Sequence, residues 1–173
     1  MLHQWQGICY YKKKITITPE EAKKHIWIEF EGAMHLADVW INGKHVMQHA
    51  GGYTPFVVDA TGLLKTDKEN ELLVRLDNRN NSLIPPGKPL ETLDFCYYGG
   101  IYRNVHLIAK ADVHITHPIL DGHPAGAGIF ITYPKVSQEL SVVDAKTEIK
   151  NTSDKEKVVE LRHTLYTCLL YTS

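Results

Sequence analysis

Residues 94–103, "DFCYYGGIYR", combine side-chain types that recognise hydroxyl-rich ligands. Asp94, Tyr97 and Tyr98 lie just before two adjacent glycines. An ionised carboxylate can accept two hydroxyl hydrogen bonds, and an aromatic face can pack against the C–H surface of a sugar. These three residues are therefore candidate ligand-binding residues. The alternatives are a solvated loop aspartate or turn cap for Asp94, and packing against the core or another domain for the tyrosines.

Two further polar residues flank this segment. Asn78 belongs to "DNRNN", residues 77–81, on the loop that leads towards Asp94. It is a candidate sugar contact, with turn formation as the alternative. Arg103 follows the glycines, and strand alternation places it on the same face as its apolar neighbours two residues away. We therefore predict that Arg103 lies near buried surface and forms a structural salt bridge.

The elements that must position these residues are predicted to be β-strands. Period-two alternation runs through "ICYYKKKITI", "HIWIEFEG" and residues 70–78, and a return to strand is predicted within residues 101–119. Asn42-Gly43 between apolar runs predicts a type I′ hairpin turn, because both residues tolerate positive φ. The only helix candidate is a turn or two at residues 20–24. Many short strands with frequent turns indicate an all-β sandwich or barrel.

The strand pattern divides the chain into two units. We predict a first domain over residues 1–111, short of its first strand or strands, and a second unit over 112–167. The second unit has about 55 residues, whereas an immunoglobulin-like sandwich needs about 100, so we expect a partial sandwich and a fragment of a longer protein. Residues 168–173, "CLLYTS", resemble a translated sequencing adapter and are predicted to be a non-native tail.

Composition excludes several function classes. The 173 residues include 19 basic and 20 acidic side chains, for a net charge of −1, so a nucleic-acid partner is not expected. No apolar run is long enough to cross a bilayer, and no secretion signal is visible. We therefore expect a soluble protein of bacterial cytoplasmic or periplasmic type, with the compartment left open.

Metal and nucleophile chemistry are not indicated. The three cysteines are widely spaced, and His114 and His117 fall on opposite faces of a strand, so neither set predicts a zinc site. Asn70-Glu71 opens the alternating strand "NELLVRL" and is interpreted as strand entry rather than as a catalytic pair. We expect no catalytic residue within the chain.

Residues 30–107 resemble the N-terminal sugar-binding domain of glycoside hydrolase family 2. The matching stretches are "FEGAMHLADVWINGKHVMQHAGGYTPFVVDAT", "NELLVRLDNRNN" and "DFCYYGGIYRNVHL", in the order and spacing of the family. The resemblance implies a jelly-roll sandwich, followed by the start of an immunoglobulin-like domain, and its details are most similar to the β-galactosidase branch. It also implies that Asp94 contributes to the substrate pocket, touching sugar hydroxyls or a bound Na⁺ or Mg²⁺ of the full-length parent.

The resemblance further implies the activity of the parent protein. Family members are retaining glycosidases that carry two glutamates on a (β/α)₈ barrel, about 5–5.5 Å apart. That barrel, the expected intrachain partner, is absent here, so we expect a non-catalytic fragment of an enzyme that hydrolyses terminal β-linked sugars. A homo-oligomeric parent is compatible with this hypothesis. The alternatives are a β-glucuronidase fragment, a stand-alone carbohydrate-binding module, or a structural β-sandwich array.

Overall fold

The computed structural model describes residues 5–95, 97–123 and 127–166, and the described part of the chain is all-β. The predicted non-native tail, residues 168–173, lies outside the described residues. The chain divides into two compact units between Ala111 and Asp112. The all-β prediction is confirmed, and the helix candidate at residues 20–24 is a single 3-10 turn, Glu21–Lys23. None of the described helices is long and apolar enough to cross a membrane.

Among the described residues, nine strands form the first unit and four form the second. The strands of the first unit are β1 Ile8–Ile15, β2 His25–Phe30, β3 Ala33–Met34, β4 Leu36–Ile41, β5 Lys44–Ala50, β6 Phe56–Asp59, β7 Asn70–Asp77, β8 Gly100–Ile101 and β9 Val105–Lys110. Those of the second are β10 Val113–Ile115, β11 Ile129–Lys135, β12 Val142–Thr147 and β13 Ile149–Asn151. A second 3-10 turn, Leu90–Thr92, lies in the loop before β8.

The first unit is a sandwich of two antiparallel sheets with one core. One sheet has the order β1-β7-β4-β5 and the other has the order β6-β2-β9, with β3 and β8 pairing separately. Alternate residues point inward, so Ile28 and Phe30 of β2 meet Val39 of β4 and Val74 of β7 in the buried cluster. Phe30 stacks on Phe56 with the ring centroids 4.6 Å apart. Burial of these apolar side chains stabilises the sandwich.

The predicted hairpin turn is confirmed. Asn42 and Gly43 have φ of 52° and 80°, and Ile41 pairs with Lys44 across the turn. Positive φ at both central positions is the type I′ geometry, whose twist matches that of the flanking strands. This two-residue turn sets the register that brings β4 and β5 together.

The strand structure predicted within residues 101–119 is divided among three strands. The chain forms β8, β9 and β10 there, with breaks at residues 102–104 and 111–112. Because the alternation is interrupted at the first break, Arg103 is exposed, and its guanidinium lies 5.4 Å from the centroid of the Tyr102 ring. The described residues provide no salt bridge for Arg103, so the prediction of a structural ion pair near buried surface is wrong.

The second unit contains two small antiparallel sheets, β10-β13 and β11-β12. Ile115 pairs with Ile149 in the first sheet, and Ile129 pairs with Thr147 in the second. Most apolar side chains of these strands are exposed, including Ile129 and Ile131. The backbone pairing is thus formed without an extensive buried core among the described residues.

Candidate functional site

A polar recess of about 260 Å³ lies where β7 ends and β4 begins. The pairing of Leu36 with Asp77 across these strands brings the two ends together. The recess is lined by His35, Leu36, Asp77, Arg79, Asn80 and Asn81. Most of these groups can form hydrogen bonds to a polar ligand. Part of the recess is therefore built by "DNRNN", the loop selected from the sequence.

The Asp77 carboxylate is held by two arginines. Arg79 donates to it from Nε at 2.9 Å and from Nη2 at 2.6 Å, and Arg75 donates from Nη2 at 3.4 Å. The hydrogen bonds from Arg79 keep the pKa of Asp77 below its usual value, against the opposing effect of burial. Asp77 therefore stays ionised and is unsuited to act as a general acid, which needs a raised pKa.

The buried His35 and the half-buried Tyr97 form a pair beside the recess. The Tyr97 hydroxyl lies within hydrogen-bonding distance of His35 Nδ1, and the rings meet edge to face with centroids 6.1 Å apart. Burial lowers the pKa of His35 and raises the pKa of Tyr97 to about 12, the latter with smaller contributions from Tyr53 and Asp77. Both side chains are therefore neutral near pH 7. The contact anchors one end of the segment that carries Asp94.

Asp94 and Tyr98 are both exposed, as expected for the isolated chain. Asp94 follows the 3-10 turn Leu90–Thr92, and Tyr98 is 67% exposed. Neither lines the recess. Tyr97 thus contacts His35, which lines the recess, whereas Asp94 and Tyr98 are exposed to solvent. Their assignment as substrate-binding residues stays a prediction.

Asn78 is buried and its amide binds the start of the chain. Its Oδ1 accepts a hydrogen bond from the N–H of Gly7 at 2.7 Å, and its Nδ2 donates to the carbonyl of Trp5 at 3.0 Å. A Cβ built on Gly99 would lie 2.6 Å from Asn78 Nδ2, so the glycine permits this close approach. These contacts give Asn78 a structural role, and substrate binding by Asn78 stays a prediction.

The second glycine of the junction is required by its backbone conformation. Gly100 has a φ of +85°, and a Cβ there would lie 2.4 Å from the Tyr11 hydroxyl. An L side chain at this position would be strained by both the φ and the contact. The adjacent glycines therefore let the chain pass close to Asn78 and Tyr11 as it enters β8.

His35 and the two arginines were not identified from the sequence. His35 stands beside the apolar run that becomes β4, and nothing in its sequence context distinguishes it from the other nine histidines. The signal for Arg75 was its period-two position on β7 beside Asp77. Neither pattern indicates a partner, because Tyr97 is 62 residues from His35 along the chain.

Among the described residues, the recess presents hydrogen-bonding groups, and no carboxyl group has a raised pKa. Every pKa shift resolved for a carboxyl group in the described residues is downward. No described group of three or more His, Cys, Asp or Glu side chains could hold a metal ion. A lone exposed carboxylate at Asp94 falls short of the oxygen ligands that Mg²⁺ requires. A cation at Asp94 therefore stays a prediction for the full-length protein.

Comparison with known proteins defines the class. The model for "Glycosyl hydrolases family 2, sugar binding domain" matches residues 2–111, which is more than half of the chain. The matched region covers the sandwich, the polar recess and the segment that carries Asp94. The chain belongs to glycoside hydrolase family 2, and the resemblance inferred from the sequence is confirmed.

Individual relatives agree with this assignment. A β-glucuronidase from Formosa agariphila is 32% identical over 162 residues, which cover 92% of this chain and 16% of that protein. A β-galactosidase from Thermoanaerobacter pseudethanolicus is 36% identical, over 90% of this chain and 21% of that protein. The crystal structure of a β-glucuronidase from Bacteroides uniformis superposes with a TM-score of 0.73 at 34% identity, covering 86% of this chain and 17% of that chain. The chain thus spans about a fifth or less of the length of these relatives.

Proposed function

We propose that this chain is the non-catalytic sugar-binding part of a retaining glycosidase that hydrolyses terminal β-linked sugars. The observation that carries the proposal is the family match over residues 2–111, in a chain that covers only 16–21% of relatives named as glycosidases. The described residues offer hydrogen-bonding groups for a sugar but no acid with a raised pKa. Catalytic groups would therefore come from a (β/α)₈ barrel elsewhere in the parent protein.

Within this proposal, Asp94 supplies a carboxylate to the rim of the substrate pocket. Its exposure supports the role, because the side chain is available to accept hydroxyl hydrogen bonds. Tyr97 lies three residues after Asp94, and its contact with His35 restrains the loop that carries both residues. This restraint would limit the conformational entropy that the loop loses when a sugar binds. Tyr98 offers an exposed ring that can pack against the sugar.

The substrate of the parent is proposed to be a β-galactoside, on the basis of the sequence details of "IPPGKPLETLDFCYYGGIYRNV". A β-glucuronide is the second candidate, because both the Formosa agariphila relative and the Bacteroides uniformis structure are named β-glucuronidases. A glucuronide carries a carboxylate and calls for a cationic partner. Arg79 already binds Asp77, so that partner would come from the barrel.

The proposal is tested in the full-length parent protein with Asp94→Asn. If Asp94 binds a sugar hydroxyl, loss of the charged acceptor should lower kcat/KM by about ten- to a hundred-fold, the value of a hydrogen bond to a charged group. Aryl β-galactosides and aryl β-glucuronides, assayed side by side, identify the sugar. Asp67→Asn is the matched control, because Asp67 is an exposed loop aspartate of the same unit outside the site.

The isolated 173-residue chain provides a second test. It should hydrolyse neither aryl glycoside, and calorimetric titration with galactose or glucuronate should give no measurable binding. Hydrolysis by this chain would overturn the non-catalytic assignment, whereas tight binding by the chain alone would favour a stand-alone carbohydrate-binding module. If Asp94→Asn and Asp67→Asn changed kcat/KM of the parent equally, Asp94 would not be a substrate-binding residue.

A further inference from the structure

The carboxylate of the polar recess has no acceptor capacity left for a ligand. Asp77 Oδ1 accepts from the backbone N–H of Arg79 at 3.1 Å and from its Nε at 2.9 Å. Asp77 Oδ2 accepts from Nη2 of Arg79 and from Nη2 of Arg75. These contacts fill the roughly four lone-pair sites of a carboxylate. A ligand in the recess therefore finds Asp77 already satisfied.

The two asparagine side chains of the recess keep their donors and use their acceptors. Asn80 Oδ1 accepts from the N–H of Leu90 at 3.1 Å and from Gln6 Nε2 at 2.7 Å. Asn81 Oδ1 accepts from the N–H of Leu83 at 2.9 Å. Because a backbone N–H can only donate, these contacts fix which end of each amide is the oxygen. Among the described residues neither Nδ2 has an acceptor, so both amides can donate to a ligand.

The charge beside the recess is positive. Asp77 and Arg79 balance each other, and Arg79 Nη1 has no acceptor within the described part of the chain. Lys88 adds an exposed cation, and it lines a small cavity that shares three lining residues with the recess. No acidic partner of Lys88 occurs in the described residues. Neither Glu91 nor Asp94 lines the recess or that cavity.

We propose that the recess binds the anionic group of an acidic sugar residue, which is a carboxylate or a sulfate ester. Such a group only accepts hydrogen bonds, so it matches the N–H groups that Asn80, Asn81 and Arg79 leave over. Lys88 balances its charge. A neutral hydroxyl would use the same donors but find no acceptor for its own proton on Asp77. The volume of about 260 Å³ is smaller than the pockets of about 300–1,000 Å³ that hold drug-sized ligands, so the recess suits one sugar residue.

The anion site rests on the proposed function, and it narrows the class of substrate. Asp94 does not line the recess, so the sugar that it contacts and the sugar held in the recess are two residues of one substrate. The substrate would then be an acidic β-linked oligosaccharide. A terminal glucuronide would still need a cation from the barrel for its own carboxylate. A single acidic sugar should bind the isolated chain more weakly than about 1 mM, because the recess is open to solvent.

The test uses the isotope-labelled 173-residue chain and follows its side-chain amide resonances by NMR. The titrants are glucuronate, galactose sulfated at its primary hydroxyl, and galactose, all at constant ionic strength. The Asn80 and Asn81 amides should shift saturably with at least one of the two acidic sugars and not with galactose. The Asn151 amide, which donates to the carbonyl of Lys155 in the second unit, should not shift with any of them.

The acidic sugar that binds more tightly identifies the anion as a carboxylate or a sulfate ester. If neither acidic sugar shifts the Asn80 and Asn81 amides, the proposal is overturned. Equal shifts with galactose would also overturn it, because the recess would then not select a charged ligand.

Substitution of Asn81 separates the donor of its amide from the acceptor. Asn81→Asp keeps an oxygen for the N–H of Leu83 and replaces the free donor with a negative charge, so acidic sugars should no longer shift the Asn80 amide. Asn151→Asp makes the same change in the second unit, where Oδ1 accepts from the N–H of Ser153, and should leave binding unaltered. Retention of binding by Asn81→Asp, with an unchanged urea midpoint, would contradict the assignment.

Charge removal tests Lys88. Lys88→Gln should weaken binding of the acidic sugar about two- to five-fold, as expected for an exposed ion pair. Lys44→Gln is the matched control, because Lys44 is exposed beside the hairpin turn, at the opposite end of β4 from Leu36. An equal loss for the two variants would indicate a general effect of net charge and would exclude Lys88 from the site.

The NMR titration and the assay of the parent separate the anion site from the proposed function. If neither acidic sugar binds the recess while Asp94→Asn still lowers kcat/KM of the parent, only the anion site is wrong. If acidic sugars bind the recess but Asp94→Asn has no more effect than Asp67→Asn, the role proposed for Asp94 is wrong and the anion site stands.

Discussion

The two units of the chain use similar β patterns but bury very different amounts of apolar surface. In the first unit, Phe30 and Val39 are fully buried between two sheets. In the second, Ile129, Phe130 and Ile131 remain exposed on a two-stranded sheet, and Ala127 is the one buried apolar side chain among its described residues. Alternation is therefore enough to predict strands in both units, but only a second layer gives those strands a core.

The difference separates backbone pairing from side-chain burial as sources of stability. The strands of the second unit are paired along their backbones, yet their side chains gain little from removal of water. The first unit has both contributions. We therefore expect the free energy of unfolding to be concentrated in the first unit. The predictions below test this difference in order of decreasing effect.

The largest effect is expected for truncation of the stacked phenylalanine pair. Phe30→Ala removes a fully buried ring and should lower the free energy of unfolding of the first unit by about 3–5 kcal/mol. Phe130→Ala, in the second unit, should cost less than about 1 kcal/mol because that ring is already 38% exposed. Urea unfolding is followed by tryptophan fluorescence, which reports on the first unit alone, and by circular dichroism for the whole chain. Equal costs would refute the comparison.

A smaller effect is expected for the buried amide of Asn70. Its Oδ1 accepts from the N–H of Lys65 at 2.7 Å, and its Nδ2 donates to the Lys65 carbonyl at 2.8 Å. Asn70→Ala removes the buried amide that holds both backbone groups of Lys65 and should destabilise the first unit by about 2 kcal/mol. The control Asn151→Ala removes an exposed amide of the second unit and should cost less than about 1 kcal/mol. A larger loss for Asn151→Ala would contradict the expected distribution of stability.

The third effect is a pH dependence of the first unit that arises from two histidines. Burial lowers the pKa of His35 and His49 in the folded state, so the unfolded chain binds more protons once the pH falls below about 6.5. The contribution of these neutral histidines to the free energy of unfolding is therefore complete above that pH. It declines as the solution is acidified towards their folded-state pKa values. Urea midpoints detected by tryptophan fluorescence should fall between pH 7.5 and pH 5.5. His35→Gln should reduce the slope, and a midpoint that rises on acidification would contradict the assignment.

The smallest effects are expected for exposed ion pairs, where the two units should not differ. Lys14 bonds to Glu69 at 2.6 Å in the first unit, and Arg162 bonds to Glu160 at 3.1 Å in the second. Lys14→Ala and Arg162→Ala should each leave the urea midpoint of unfolding unchanged within the error of the measurement, because solvent screens both pairs. A large loss from either variant, measured by urea unfolding, would show that surface charge contributes to the difference between the units.

Local features of the first unit were predictable because the interactions that produce them are short in sequence. Asn42-Gly43 predicts its own turn, since few other dipeptides adopt positive φ at both positions. The strand predicted over residues 70–78 agrees with β7 to within one residue, because its side chains alternate without interruption. The prediction failed at Arg103, where alternation continues in the sequence but the backbone breaks between β8 and β9.

The candidate site was predicted less completely because it depends on distant contacts. The sequence alone identified Asp94 and the tyrosines by residue type and established the all-β class and the family. Only the tertiary structure joined Tyr97 to His35 and directed the Asn78 amide to Gly7. The physical reason is that residue type and period-two alternation are fixed along the chain. Partners, burial and free strand edges are decided by which sheets meet, and that depends on all the strands together.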